Sequence, residues 1–251
     1  MAWTSTRSWI PHSRRAITDF MDHPVPLSSF GLRFAVPQRP HAMEQWAEVR
    51  PLVDGRDLLA EIHPDGTSSC SSRHLLGPVG GRPFAALDET RRVELSSNDC
   101  VTSCCWGIFV TIRRQGDRVL WTSWENTDDN RDPLPADLHF DAAQYGAELA
   151  RAGSDVSWEG PVDTAARLLA QELADHTGPE SGDHAVLSIT PERTDPPRVT
   201  VRMRRRDAPW TPGEDLVHEL LLTGREPVQE LVQQLVLRLT AQDHGDTSGP
   251  R

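Results

Sequence analysis

The sequence predicts a mixed α+β fold, with mostly antiparallel sheets and about three helices packed on one side. Segments in which apolar and polar residues alternate indicate strands, and turn-forming residues separate them. Other segments carry apolar residues at helical spacing. Strands and helices do not alternate regularly along the chain, which argues against a doubly wound parallel sheet.

Residues 1–27 contain polar residues, proline and two tryptophans without any period. We expect this stretch to be a flexible leader and not a domain. The internal Met21 or Met43 is an alternative to Met1 as the start of the protein.

Residues 28–140 form the predicted β-rich region. A first strand is expected at Gly31–Val36, and Asp54-Gly55 suits a tight hairpin turn because both residues tolerate positive φ. Residues 64–83 are rich in Gly, Ser and Pro, and we expect a loop there. The strongest strand signal is a hairpin over residues 107–124.

This hairpin turns at Gln115-Gly116 or Gly116-Asp117. Successive side chains of a strand point to opposite faces. The face expected in the core carries Ile108, Val110, Ile112, Val119 and Trp121. The opposite face, expected to be partly covered, carries Phe109, Leu120 and Trp124 together with Arg113 and Arg118.

An acidic pair of helices is predicted over residues 141–178. Asp141 is the expected N-cap of the first helix, and Gln144 three residues later would complete a capping box. Gly153 ends that helix. Pro161 opens the second helix, because the first helical position needs no N–H group.

The last third is predicted as a three-strand-plus-helix unit over residues 183–245. The strands are expected at Ala185–Ile189, Arg198–Arg206 and Asp215–Leu222, and the helix starts at Pro227. Residues 28–245 could form one compact domain, followed by a frayed tail at residues 246–251.

The composition excludes several chemistries. The chain of 251 residues has 26 basic residues, all arginine, and 37 acidic ones. Without lysine it cannot form a phosphate-binding P-loop, a Schiff base, the ATP-binding lysine of a kinase or a Ser-x-x-Lys acyl-transfer motif. The chain has no run of 18 apolar residues, so no membrane span is predicted. Four cysteines are few, which favours a reduced, cytoplasmic compartment.

The net charge of −11 is concentrated in residues 115–185, which hold 15 acidic residues and four arginines. A localised negative field repels nucleic acid and suits a basic protein partner. The residues expected to contact this partner are Asp128, Asp129, Asp132, Asp137, Glu148, Asp155 and Glu159. The leading hypothesis is a non-enzymatic cytosolic interaction module that holds or neutralises a basic protein. The alternative is a solvated acidic face that serves solubility.

The cysteines supply a competing hypothesis, a zinc-stabilised or thiol-dependent protein or enzyme. Zn²⁺ takes four ligands in a tetrahedron, usually as two close pairs from separate loops. The candidate ligands are Cys70, His74, Cys100 and Cys104, with Cys105 as an alternate fourth ligand. The spacing Cys-x₃-Cys is looser than that of most zinc sites. The alternative is that Cys104 and Cys105 are small buried hydrophobic residues beside Trp106.

The predicted strand 198–206 sends Val199, Val201 and Met203 to one face and arginines to the other. A row of guanidinium groups needs phosphates or carboxylates nearby. The candidates for anion binding are Arg198, Arg202, Arg204 and Arg206. The alternative is that they pair with the acidic residues of segment 115–185 in the same chain. The negative net charge makes nucleic acid the weaker of these partners.

Overall fold

The structure of the protein is a computed structural model. It describes residues 25–36, 46–62, 67–68, 70–72, 75, 83–97, 107–127, 133–174, 183–207 and 215–245. Within these residues the mixed α+β fold is confirmed, since four helices accompany three antiparallel sheets. Most of the expected leader and the expected tail lie outside the described residues. None of the helices in the described part is both long and apolar enough to cross a membrane.

The strands form three sheets. The first sheet contains, in spatial order, β1 (Phe30–Ala35), β2 (Glu48–Val53) and β3 (Arg56–Asp57). The second contains β4 (Thr67–Ser68), β5 (Arg91–Ser97), β6 (Gly107–Gln115), β7 (Arg118–Asn126) and β8 (Leu138–Asp141). The third contains β9 (His184–Glu192), β10 (Arg198–Arg205) and β11 (Leu216–Leu221), with β10 in the centre. The helices are α1 (Leu58–Ile62), α2 (Ala142–Ser154), α3 (Pro161–Glu172) and α4 (Val228–Gly245).

Two hydrophobic clusters hold these elements together. The first joins the first two sheets with α1 and α2, and aromatic side chains fill its centre: Phe30, Phe84, Trp121, Phe140 and Tyr145. The second joins one face of the third sheet with α3 and α4. The two helices that the sequence predicts as a pair thus pack in different clusters, Tyr145 of α2 in the first and Leu169 of α3 in the second.

The hairpin of β6 and β7 has the predicted core face. Ile108, Val110, Ile112, Val119 and Trp121 are all buried in the first cluster. The prediction that Trp124 lies on the opposite face from Trp121 is wrong. The ring of Trp124 packs against the same cluster, 6.0 Å from the ring of Trp121. The cause is local: Ser123 has a φ of 53°, and the pairing with β6 shifts between Phe109 and Thr111. Such a bulge reverses the alternation of the residues that follow it.

Helix α2 begins where the sequence predicts. The carboxylate of Asp141 accepts a hydrogen bond of 2.8 Å from the backbone N–H of Gln144. The predicted capping box is wrong, however, because the amide side chain of Gln144 does not return to Asp141. It bonds instead to the backbone of Phe30 in β1. A contact across 114 residues of sequence has replaced a local one.

Tyr145 is the polar centre of the first cluster. The indole N–H of Trp121 donates to the Tyr145 hydroxyl over 3.2 Å, and the hydroxyl donates to the carbonyl of Phe84 over 2.8 Å. Burial raises the pKa of the Tyr145 hydroxyl, so it stays protonated and keeps this donor role.

The variant Tyr145→Phe should therefore lower the free energy of unfolding by about 1–3 kcal/mol, because it leaves a buried indole N–H and a buried carbonyl unpaired. Urea denaturation of the whole chain measures this. The matched control is Ser154→Ala, which removes an exposed hydroxyl that bonds only to its own helix. A loss for Tyr145→Phe no larger than that of the control would contradict the assignment.

Candidate functional site

The acidic residues predicted to contact a partner are in part engaged within the chain. Glu148 and Asp155 both pair with Arg151, with N–O distances of 2.7 and 3.0 Å. Asp137 is exposed and shows no ion pair with any described residue. Asp128, Asp129 and Asp132 lie outside the described residues. Glu148 and Asp155 thus already have a cationic partner within the chain.

Glu159 belongs to a buried charge network at the start of α3. Its carboxylate is almost completely buried and pairs with Arg167 at 2.6 Å. Asp163 pairs with Arg193 and also accepts the backbone N–H of Gly160. Burial raises the pKa of Asp163 and lowers that of Arg193, because each charge has lost water. This network connects α3 to Arg193, the residue that follows β9. Glu159 therefore has a structural role.

The carboxylate of Glu148 has a specific structural task. Strand β1 is an edge strand, and α2 lies along its free side. Gln144 bonds to both backbone groups of Phe30, at 3.2 and 2.6 Å. Glu148 accepts the N–H of Leu32 at 2.7 Å, and Arg151 donates to the carbonyl of Leu32 at 2.9 Å. Three helix side chains thus replace a neighbouring strand.

Of the candidate zinc ligands, only Cys70 is among the described residues. Cys70 is buried in the first hydrophobic cluster, and its carbonyl accepts the N–H of Val49. His74, Cys100, Cys104 and Cys105 lie outside the described residues. Among the residues that are described, no group of three or more His, Cys, Asp or Glu side chains could hold a metal ion. The zinc and thiol hypotheses therefore stay predictions.

The arginines of β10 lie on the face of the third sheet opposite the helices. Val199, Val201 and Met203 point into the second cluster, as predicted. On the other face Arg198 pairs with Glu192 at 2.7 Å, and Arg204 pairs with Asp215 at 2.7 Å. Arg202 is exposed without an ion pair in the described part of the chain, and Arg206 follows the end of the strand. Acidic residues flanking β10 supply these partners, and they lie outside residues 115–185.

The outer face of the third sheet is thus a built polar surface. Glu192 accepts hydrogen bonds of 2.7 Å from both Arg198 and Thr200. Partial burial alone would raise the pKa of Glu192, but the hydrogen bonds from Thr200 and Arg198 lower it below its usual range. The carboxylate is therefore ionised at neutral pH and holds β9 to β10.

Strand β11 adds exposed apolar side chains to this face. Val217 and Leu221 stand opposite Arg202 and Arg198 of β10, and both side chains are about half exposed. Leu216, which stands opposite Met203 on the other face of the sheet, is also exposed. Solvent-exposed apolar side chains concentrated on one strand indicate a contact surface. Val217 and Leu221 flank a single acidic residue, Glu219.

The two outer strands of the third sheet differ in how their edges are protected. Strand β9 has an extra residue, Leu187, where its pairing with β10 shifts, and it contains Pro191, which has no N–H. The indole of Trp46 also donates to the carbonyl of Ile189 at 2.8 Å. Bulges, prolines and covering side chains are the usual protections of an edge strand.

Strand β11 has none of these protections in the residues that the structure describes. It pairs with β10 in unbroken register and contains no proline. Its described backbone hydrogen bonds go to β10 alone. An open, partly apolar edge strand is a template for pairing with another chain.

This surface was not predicted from the sequence, although the sequence carries a signal for it. The predicted strand Asp215–Leu222 has apolar residues at consecutive positions: Leu216, Val217, Leu220, Leu221 and Leu222. A strand with only one buried face alternates apolar and polar residues. Apolar residues at both even and odd positions therefore indicate that the second face of this strand also makes apolar contacts.

Comparison of the chain with protein-family models, with curated proteins and with solved structures found no match. Its function must therefore be inferred from its own side chains and their geometry.

The variant Glu148→Ala should lower the free energy of unfolding by about 1–3 kcal/mol, because the N–H of Leu32 and the guanidinium of Arg151 lose an acceptor. Glu148→Gln keeps an acceptor and should lose less. Partial burial would raise the pKa of Glu148, but hydrogen bonds from Arg151 and Leu32 lower it below its usual value of 4.5. The contribution of the charge is therefore present above that value and is lost as the pH falls through the lower, folded-state pKa.

Urea denaturation at several pH values tests this, with Glu125→Ala, which breaks an exposed pair with Arg92, as the control. The difference between wild type and Glu148→Ala should narrow in acid. A difference that is constant over pH, or equal to that of the control, would show that α2 does not protect β1 in this way.

Proposed function

We propose that the protein is a non-enzymatic, cytoplasmic interaction module that takes up an extended segment of a basic partner protein along strand β11. The observation that carries this proposal is the open edge of β11 with its exposed Val217 and Leu221. Addition of a strand to an exposed sheet edge is a common mode of peptide recognition, in which main-chain hydrogen bonds give affinity and alternate side chains give specificity.

The preference for a basic partner is supported by the charge of the whole chain. A net charge of −11 attracts a cationic protein over distances of about a Debye length, ~10 Å, without requiring any particular carboxylate to be free. The acidic region thus assists encounter, while contact is made elsewhere. This differs from an acidic docking surface, because Glu148, Asp155 and Glu159 are already ion-paired.

The cytoplasmic location is part of the proposal. It is supported by the small number of cysteines. The zinc-bound and the thiol-dependent alternatives are tested separately, by metal analysis and by thiol titration of the purified chain.

Retention of partners from a lysate of the source cells tests the proposal. Three immobilised proteins are compared: wild type, the double variant Val217→Lys/Leu221→Lys, and the control Leu237→Lys, which changes an exposed leucine on α4. We expect at least one basic protein to be retained by wild type and by the control, to be lost from the double variant, and to elute as salt is raised. Identical sets of proteins on all three columns would contradict the proposed site.

A further inference from the structure

We infer that the segment bound by β11 carries an arginine or lysine opposite Glu219, with apolar residues two positions before and after it. This inference rests on the proposed function and specifies the chemistry of the partner. It follows from the order of charges across the third sheet, from the spacing of the apolar residues of β11 and from the registers in which two copies of β11 could pair.

Charges of opposite sign alternate across the outer face of the sheet. Glu192 of β9 accepts from Arg198 of β10 at 2.7 Å, and Arg198 lies 3.6 Å from Glu219 of β11. The row therefore ends on a carboxylate at the open edge. Opposite charges on neighbouring strands stabilise their pairing, and like charges destabilise it. The next strand in this row is favoured when it presents a cation.

Glu219 has the capacity to bind that cation. The guanidinium of Arg198 makes its short hydrogen bond to Glu192 and only a longer contact to Glu219. About half of the Glu219 side chain is exposed. A carboxylate has about four lone-pair positions, so one distant arginine leaves room for a second cationic partner.

The apolar residues of β11 set the spacing of the partner. Val217 and Leu221 lie two residues before and after Glu219, and the three side chains share the outer face. Residues directly opposite each other on paired strands also share a face. A strand added at this edge therefore faces Val217, Glu219 and Leu221 in turn. The complementary residues of the added strand are apolar, cationic and apolar, and they occupy every second position.

A second copy of the same chain does not satisfy this pattern. In a two-fold antiparallel pairing of β11 with Glu219 on the axis, Glu219 of one copy faces Glu219 of the other, and like charges opposite each other are destabilising. With His218 on the axis, Glu219 faces Val217 of the second copy. The first register places two carboxylates side by side, and the second places a carboxylate against the apolar Val217. Burying a carboxylate without a cationic partner costs free energy. Glu219 therefore opposes self-association and leaves the edge to a different, basic segment.

The variant Glu219→Val tests whether Glu219 opposes self-association of the chain. It makes Val217, residue 219 and Leu221 a continuous apolar strip on the open edge, and we expect the chain to self-associate at concentrations where wild type does not change. Sedimentation velocity over a concentration series measures the shift, with Glu226→Val, at an exposed acid outside the sheet, as the control. Equal sedimentation of the two variants would show that Glu219 does not prevent pairing of copies.

Selection from a displayed library of random nine-residue peptides identifies the preferred partner chemistry. On wild type we expect binders with Arg or Lys at one position and apolar residues two positions to each side. On Glu219→Arg we expect Asp or Glu at that position. Binding of a selected peptide, followed by fluorescence anisotropy, should weaken about two- to fivefold in Glu219→Gln and stay unchanged in Glu226→Gln.

The outcomes separate the inference from the function on which it rests. Binders that are lost on Val217→Lys/Leu221→Lys but show no preference for a cation would overturn the inference alone. Binders that persist on this double variant, or the absence of any binder, would overturn both. A single substitution, Val217→Lys, serves the same comparison if the double variant does not fold.

Discussion

Every strand at the edge of a sheet carries backbone N–H and C=O groups that lack a neighbouring strand, and the organisation of this protein depends on how those groups are satisfied. On β1 the side chains of Gln144, Glu148 and Arg151 take the place of a strand. On β9 a bulge, a proline and the indole of Trp46 interrupt the edge. Strand β11 has no comparable cover among the described residues, and its exposed face is partly apolar. The contrast between protected and open edges is the basis for assigning the contact surface.

Several acidic residues are likewise engaged within the fold. A count of charges along the sequence shows an excess of acid in residues 115–185 but does not show which carboxylates are free. In the structure Glu148 protects an edge strand, while Glu159 and Asp163 form a buried network with Arg167 and Arg193. Such residues contribute to the long-range field but are not available for direct contact. The acid that limits pairing at the open edge, Glu219, lies outside the acidic segment.

Much of the fold could be predicted from sequence, because local patterns determine it. The hairpin of β6 and β7, the start of α2 after Asp141 and the start of α3 at Pro161 follow from periodicity and capping. The face of the sheet on which Trp124 lies could not be predicted, because it depends on the bulge at which Ser123 has a positive φ. The partner of Gln144 could not be predicted either, because Phe30 is 114 residues away. The candidate site was missed for a related reason: exposure of Val217 and Leu221 depends on which elements cover the sheet.

Residue-resolved hydrogen exchange of the wild-type chain tests the central claim, that β11 is open while β1 is covered, most directly. Amides of β11 that do not donate to β10 should exchange rapidly, and the amides of Phe30 and Leu32, which donate to α2, should exchange slowly. Slow exchange at every amide of β11, with protection equal to that of Phe30 and Leu32, would show that this edge is already paired and would contradict the account.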